Sequence, residues 1–149
     1  MRAAFLALLS SAHGAQGPCD ILLAAGNPCV AAHSTTRALY AAYAGALYNV
    51  TRASDGASTN ISVLEPGGFA NAAAQDAFCP LMDCVISNVF DQSPQGNHLH
   101  QRHKLVNASE LKITVGGNVP VYGMLFNPGY GVSLAGAAQP ATLRPLRAP

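Results

Sequence analysis

Seven carboxylates are spread through the chain, at Asp20, Asp55, Glu65, Asp76, Asp83, Asp91 and Glu110. Two of them facing each other could cleave a glycosidic bond: a retaining glycosidase holds a nucleophile and an acid/base about 5–5.5 Å apart. Local context gives most of these residues another occupation. Asp55 sits in the turn Ser54-Asp55-Gly56, Glu65 precedes Pro66-Gly67-Gly68, Asp83 lies between Cys79 and Cys84, and Asp76 falls on the solvated side of a short helix. Asp91 ends a strand before a turn, where its side chain can accept hydrogen bonds from backbone amides. No catalytic pair stands out, and no catalytic residue is assigned.

His98, His100 and His103 form a second cluster. On a strand, His98 and His100 would share a face, as metal ligands can. No acid or cysteine nearby completes such a site, so neither a metal nor any other cofactor is expected. Gly131-Val132-Ser133-Leu134-Ala135 approaches a nucleophile elbow but ends on Ala and lacks the strand–turn–helix setting. The Gly67-Gly68 turn is too short to cradle phosphates.

The four cysteines fall as Cys19 and Cys29, ten apart, and Cys79 and Cys84, five apart. Four cysteines allow three pairings, and sequence alone does not choose among them. Local pairing is the simplest, each bridge closing a short loop that contains turn formers; loop-closure entropy makes each worth roughly 2–3 kcal/mol. A zinc site is the rival, but its paired knuckles hold about two to four residues between cysteines. Nine residues separate Cys19 from Cys29.

These groups must be positioned by a chain of 149 residues, enough for one domain with its own core. Charged residues make up 10%, the net charge is +1, and the eight Lys and Arg are scattered. Nucleic acid is therefore not an expected partner. Met1-Arg2 followed by the apolar run Ala3–Leu9 and the small-residue segment Ala12-His13-Gly14 has the form of a secretion signal. That run is far shorter than the roughly 20 residues a membrane helix needs. Residues 1–17 are assigned to the signal, and no membrane anchoring is expected. Three Asn-x-Ser/Thr sequons, at Asn49, Asn60 and Asn107, agree with an extracellular destination.

Strand candidates are Ala38–Tyr40 and Ala46–Val50, joined through Ala44-Gly45, then Ile61–Leu64, Val85–Phe90, Lys112–Val115 and Val119–Phe126. Gly116-Gly117-Asn118 joins the last two. Residues 70–78 read as the single short helix, without an obvious cap and stopped by Cys79-Pro80. Short strands at close spacing indicate an all-β sandwich or barrel. From about Ser133 the texture changes to a Pro- and Ala-rich stretch without β alternation or acids, and residues 132–149 are expected to be a disordered tail.

The run Gly17-Pro18-Cys19-Asp20-Ile21 and the uninterrupted Pro28-Cys29-Val30-Ala31-Ala32-His33-Ser34-Thr35-Thr36-Arg37-Ala38-Leu39-Tyr40 resemble the mature start of α-L-arabinofuranosidase B enzymes, family 54 of the glycoside hydrolases. The likeness continues through Gly45–Tyr48, Arg52–Gly56, Ala72–Cys79, Phe90–Ser93 and Gly96–Leu99, and more faintly through Pro120–Gly123. It departs at Pro94-Gln95, where the family's turn bears glycine, and ends at about Gly131.

The resemblance implies a concanavalin-like β-sandwich (jelly roll), incomplete here, over residues 18–131, with Cys19, Cys29, Cys79 and Cys84 in two local disulfides. It implies a secreted, monomeric enzyme that removes terminal non-reducing α-L-arabinofuranosyl residues from arabinan or arabinoxylan with retention. Its partner would be an arabinose-containing plant cell-wall polysaccharide. In the family the glutamate nucleophile and the aspartate acid/base lie further along than position 149, as do the vicinal cysteines at the sugar pocket and a β-trefoil sugar-binding domain. The chain thus reads as truncated before the catalytic carboxylates and is expected to be inactive. The alternative is a non-catalytic, lectin-like sandwich module, a reading weakened by the absence of Trp beside five Tyr and five Phe.

Overall fold

A computed structural model describes residues 16–80, 83–101, 104–126, 128 and 131–134. The signal segment up to position 15, His103 and the tail from position 135 lie outside the described residues. The elements are α1 (Pro18–Ala24), β1 (Ala46–Arg52), β2 (Ser58–Ser62), α2 (Ala72–Phe78), β3 (Cys84–Val89), β4 (Leu99–Gln101), β5 (Val106–Asn107), β6 (Leu111–Val115), β7 (Val119–Gly123) and β8 (Val132–Leu134). One antiparallel sheet runs β2-β1-β3-β4-β8, with β5 also paired to β3. The hairpin β6–β7 forms a second, two-stranded sheet. The architecture is the all-β sandwich type expected, built on the antiparallel pairings that short loops permit.

Alternation along the strands sorts the large sheet into two faces. Tyr48, Val50, Ile61, Ile86 and Val89 point to one side, where they meet Ala70, Ala108 and Val121 in the core. Phe69, Phe78 and Leu99 pack around that cluster. Directly opposed residues on the other face form a polar row across all five strands: Asn60, Asn49, Asn88, His100 and Ser133. A bulge between Ala46 and Tyr48 lets both Leu47 and Tyr48 be buried. The hairpin turn Gly116-Gly117-Asn118 holds three successive positive φ values (41°, 84° and 76°), which glycine and asparagine tolerate best.

Five local expectations differ from the structure. Ala38–Tyr40 is not a strand: Ala38 N–H donates to Gly68 O, Leu39 N–H to the Gln92 side chain, and Leu39 O accepts from Cys19 N–H. Its backbone groups are thus spent on three different segments instead of one ladder. There are two helices, not one. α1 is begun by Pro18 at its first turn and by Asp20, whose Oδ2 accepts from Gly17 N–H at 2.8 Å. Gly17, assigned with the signal from sequence, belongs to the folded domain: it is buried, and an added Cβ would stand 2.3 Å from Leu39 O. α2 is capped after all, by Asn71 Oδ1 accepting from Ala74 N–H at 3.0 Å. Finally, Val132–Leu134, placed at the head of a disordered tail, forms β8 because Leu99, His100 and Gln101 supply a partner strand.

The disulfides join Cys19 to Cys29 and Cys79 to Cys84. The second ties the end of α2 to the start of β3, and both of its cysteines are buried in the core. Replacing Cys79 and Cys84 together by Ala should lower the unfolding free energy by about 2 kcal/mol, as loop-closure entropy gives for so short a loop. Urea denaturation of the two proteins checks this; an unchanged midpoint would contradict it.

Candidate functional site

Hydrogen-bonded polar side chains gather where β3 leads into the Asp91-Gln92-Ser93 turn. Asp91 is buried, and its carboxylate accepts four hydrogen bonds. Ala32 N–H (2.7 Å) and Ser93 N–H (2.9 Å) reach Oδ1; Ser93 Oγ (2.7 Å) and Asn97 N–H (2.8 Å) reach Oδ2. Burial pushes the carboxyl upward, but the bonds from Ser93, Ala32 and Asn97 outweigh it and hold Asp91 below the usual carboxylate range. Gln92 does the same work toward another segment: its Oε1 accepts from Leu39 N–H (2.6 Å), its Nε2 donates to Arg37 O (3.3 Å), and its N–H donates to Ala32 O. A three-residue turn thereby fixes the path of residues 30–40, more than fifty positions away in sequence.

The segment so fixed forms one wall of a cleft of about 390 Å³, a volume typical of small-molecule sites. His33, Ser34, Thr35 and Thr36 form that wall, Val89, Leu99 and Val132 the sheet side, and Gly123, Met124 and Phe126 the remainder. His33 Nε2 donates to Asn97 O at 2.7 Å, since a carbonyl can only accept. Ser34 Oγ is committed to its own turn, accepting from the amides of Thr36 and Arg37. The lining is mostly apolar and includes no carboxylate.

Four of the remaining carboxylates have their own partners. Asp20 binds Gly17 N–H and Ala41 N–H, Asp55 binds Ala57 N–H and lies 3.4 Å from Arg52 Nε, and Asp83 binds Ser54 N–H. Asp76 accepts from Lys112 Nζ (2.7 Å) and Tyr122 Oη (2.5 Å), pinning α2 to the β6–β7 hairpin. Burial raises its carboxyl, the two hydrogen bonds lower it, and the net effect is downward. Glu65 and Glu110 are exposed. Among the described residues, no two carboxylates share a hydrogen-bond partner.

The histidines are likewise separate. His98 Nδ1 accepts from Asp91 N–H at 3.0 Å and its ring stands edge-on to Phe90, whereas His100 Nδ1 lies 2.6 Å from Asn88 Oδ1 in the polar row of the sheet. Among the described residues no group of His, Cys, Asp and Glu is placed to hold a metal ion. Ser133 lies in β8 opposite His100, not in a nucleophile elbow. Among the described residues no helix is long and apolar enough to cross a membrane. Gln92 and the His33–Thr36 wall were not expected from the sequence; the signal for Gln92 was its place beside Asp91 in a turn, and the wall carries no local signal.

Residues 18–143 match the family described as alpha-L-arabinofuranosidase B, catalytic. The chain is 49% identical over 146 residues to a probable alpha-L-arabinofuranosidase B of Aspergillus clavatus, covering 87% of this chain and 29% of that protein. It is 46% identical over 141 residues to alpha-L-arabinofuranosidase B of Aspergillus oryzae, covering 86% and 28%. A solved arabinofuranosidase complexed with arabinofuranosyl-alpha-1,2-xylobiose superposes with a TM-score of 0.75 at 45% identity, over 78% of this chain and 27% of that one. The chain thus spans under a third of the length of these relatives. Its sequence and its fold agree on one assignment: the chain belongs to the α-L-arabinofuranosidase B family, glycoside hydrolase family 54, and corresponds to a part of the catalytic domain.

Proposed function

We propose that this chain is the front scaffold of a secreted, retaining glycosidase acting on terminal non-reducing α-L-arabinofuranosyl units of arabinan or arabinoxylan. Family membership supports the activity, and the solved relative holding an arabinofuranosyl-xylobiose supports an arabinose-bearing polysaccharide as the substrate class. Two disulfides and three sequons support export into an oxidising compartment. Because Gly17 caps α1, removal of the signal ahead of Gly17 keeps the domain intact.

The observation that carries the scaffold reading is the set of carboxylate partners. Asp20, Asp55, Asp76, Asp83 and Asp91 hold backbone amides or a neighbouring cation, and the cleft has no acid in its lining. A retaining mechanism needs one carboxylate free to attack the anomeric carbon and one free to protonate the leaving oxygen. The 149-residue chain should therefore release no 4-nitrophenol from 4-nitrophenyl α-L-arabinofuranoside above the uncatalysed rate, while the Aspergillus oryzae relative, assayed beside it, hydrolyses the substrate. Turnover by the 149-residue chain would overturn the scaffold reading.

A further inference from the structure

We propose that Asn60 is the N-glycan acceptor of the β1–β2 hairpin and that Asn49, the sequon directly across from it, stays bare in the folded, exported protein. This rests on the export reading above. Asn49 and Asn60 are register partners in the antiparallel pair, so their side chains leave the same face side by side. Directly opposed Cβ atoms in such a pair lie about 4.5–5.5 Å apart, too close for two branched oligosaccharides to start from both.

The hydrogen bonds break the tie. Ser87 Oγ donates to Asn49 Oδ1 at 2.6 Å, and Asn49 Nδ2 donates to Asn60 Oδ1 at 2.7 Å, so both ends of the Asn49 amide are engaged. Thr51, the hydroxyl residue of that sequon, donates to Ser87 Oγ at 3.2 Å. Asn49 is half-buried on β1, with β2 on one side and β3 on the other. A sugar on its Nδ2 must enter the space that Asn60 fills. Asn60 differs in each respect: it is exposed, it lies on the outermost strand of the sheet, and its side chain takes part only as the acceptor. Among the described residues nothing bonds to Asn60 Nδ2, the atom to be modified, and its second hydrogen-bonding end can keep Asn49 in place after modification.

The chemistry is transfer from a lipid-linked oligosaccharide, the glycosyl donor of the secretory pathway. Asn60 Nδ2 attacks C1 of the first N-acetylglucosamine and an N–C1 bond forms. The bond from C1 to the polyprenyl diphosphate oxygen breaks, the diphosphate leaves, and the transferase takes one proton from Nδ2. The transferase can meet either sequon before the hairpin closes. A chain modified at Asn49 then folds against its own sugar, whereas one modified at Asn60 folds freely.

The test is site-by-site occupancy in the full 149-residue chain secreted by a fungal host, once from its own start and once behind a host leader that guarantees entry. Glycans are released by peptide N-glycosidase in ¹⁸O water, and the marked asparagines are read by mass spectrometry. Asn60 should be marked and Asn49 unmarked; Asn60→Gln should remove one glycan's mass from the secreted protein, and Asn49→Gln none. Marking of Asn49 in place of Asn60, of both in one molecule, or of neither in the host-leader protein would overturn the proposal. If only the host-leader protein is secreted and carries its sugar on Asn60, the export reading fails and the choice between the two sites stands. Occupancy in the unmutated protein decides the matter even if a variant does not fold.

Discussion

Asp91→Ala should lower the unfolding free energy by about 4 kcal/mol, and Asp91→Asn by about half of that. The alanine leaves the buried Ala32 and Ser93 environment with donors and no acceptor, together with the Asn97 amide. The asparagine can keep its oxygen where Oδ1 stands and retain the Ala32 and Ser93 amides. Its NH2 group then meets Ser93 Oγ, which can turn to accept, and the Asn97 N–H, which cannot. The sign with pH follows from the depressed carboxyl. A group whose folded pKa lies below its unfolded value, near 3.9 for Asp, stabilises fully above that value, and the contribution is lost as pH falls through the folded pKa. The stability gap between the natural chain and Asp91→Asn should therefore be constant near neutrality and close on acidification. Asp76 is shifted in the same direction, so only this difference isolates Asp91. Urea denaturation monitored by circular dichroism over an acid series measures it; a gap independent of pH would show that Asp91 is not held as a carboxylate.

Much of the sheet was legible because its signals are local. Val85–Phe90 carries β-branched residues at the right period, and β3 occupies Cys84–Val89. Gly116-Gly117-Asn118 names its own hairpin through the φ values it can adopt. α1 was illegible for a physical reason: Ile21, Leu22 and Leu23 are 55%, 45% and 56% exposed, so no buried stripe exists to produce a helical period. Pro18, the Asp20 cap and the Cys19–Cys29 bridge hold that helix instead. β4 and β8 have three residues each and are strands only through the ladders they join, which no window of sequence contains. For Asp91, the turn-forming habit of the residue was readable. Its partner Ala32, 59 positions away, was not, and that distant bond turns a local turn into a tertiary clamp.

Gln75→Leu should cost about 3 kcal/mol although it keeps the volume of the side chain nearly constant. Gln75 is fully buried and joins three segments: its Oε1 accepts from Tyr48 Oη of β1 at 2.7 Å, and its Nε2 donates to Ala108 O at 2.6 Å. Ala108 in turn donates its N–H to Cys84 O at the start of β3. Burial, with the Tyr122 and Asp76 charges adding to it, raises the Tyr48 hydroxyl far above its ordinary value, so it remains a donor at all working pH values. Leucine offers neither acceptor nor donor, and both Tyr48 Oη and Ala108 O are left unpaired in the core. Adding Tyr48→Phe to Gln75→Leu removes one of those orphans. The double variant should then be more stable than the two single costs, added together, allow, and the shortfall measures the Tyr48–Gln75 coupling. Strict additivity in denaturant unfolding would mean that the hydrogen bond contributes nothing. A Gln75→Leu protein as stable as the natural chain would mean that shape, and not the paired amide, holds α2 against the sheet.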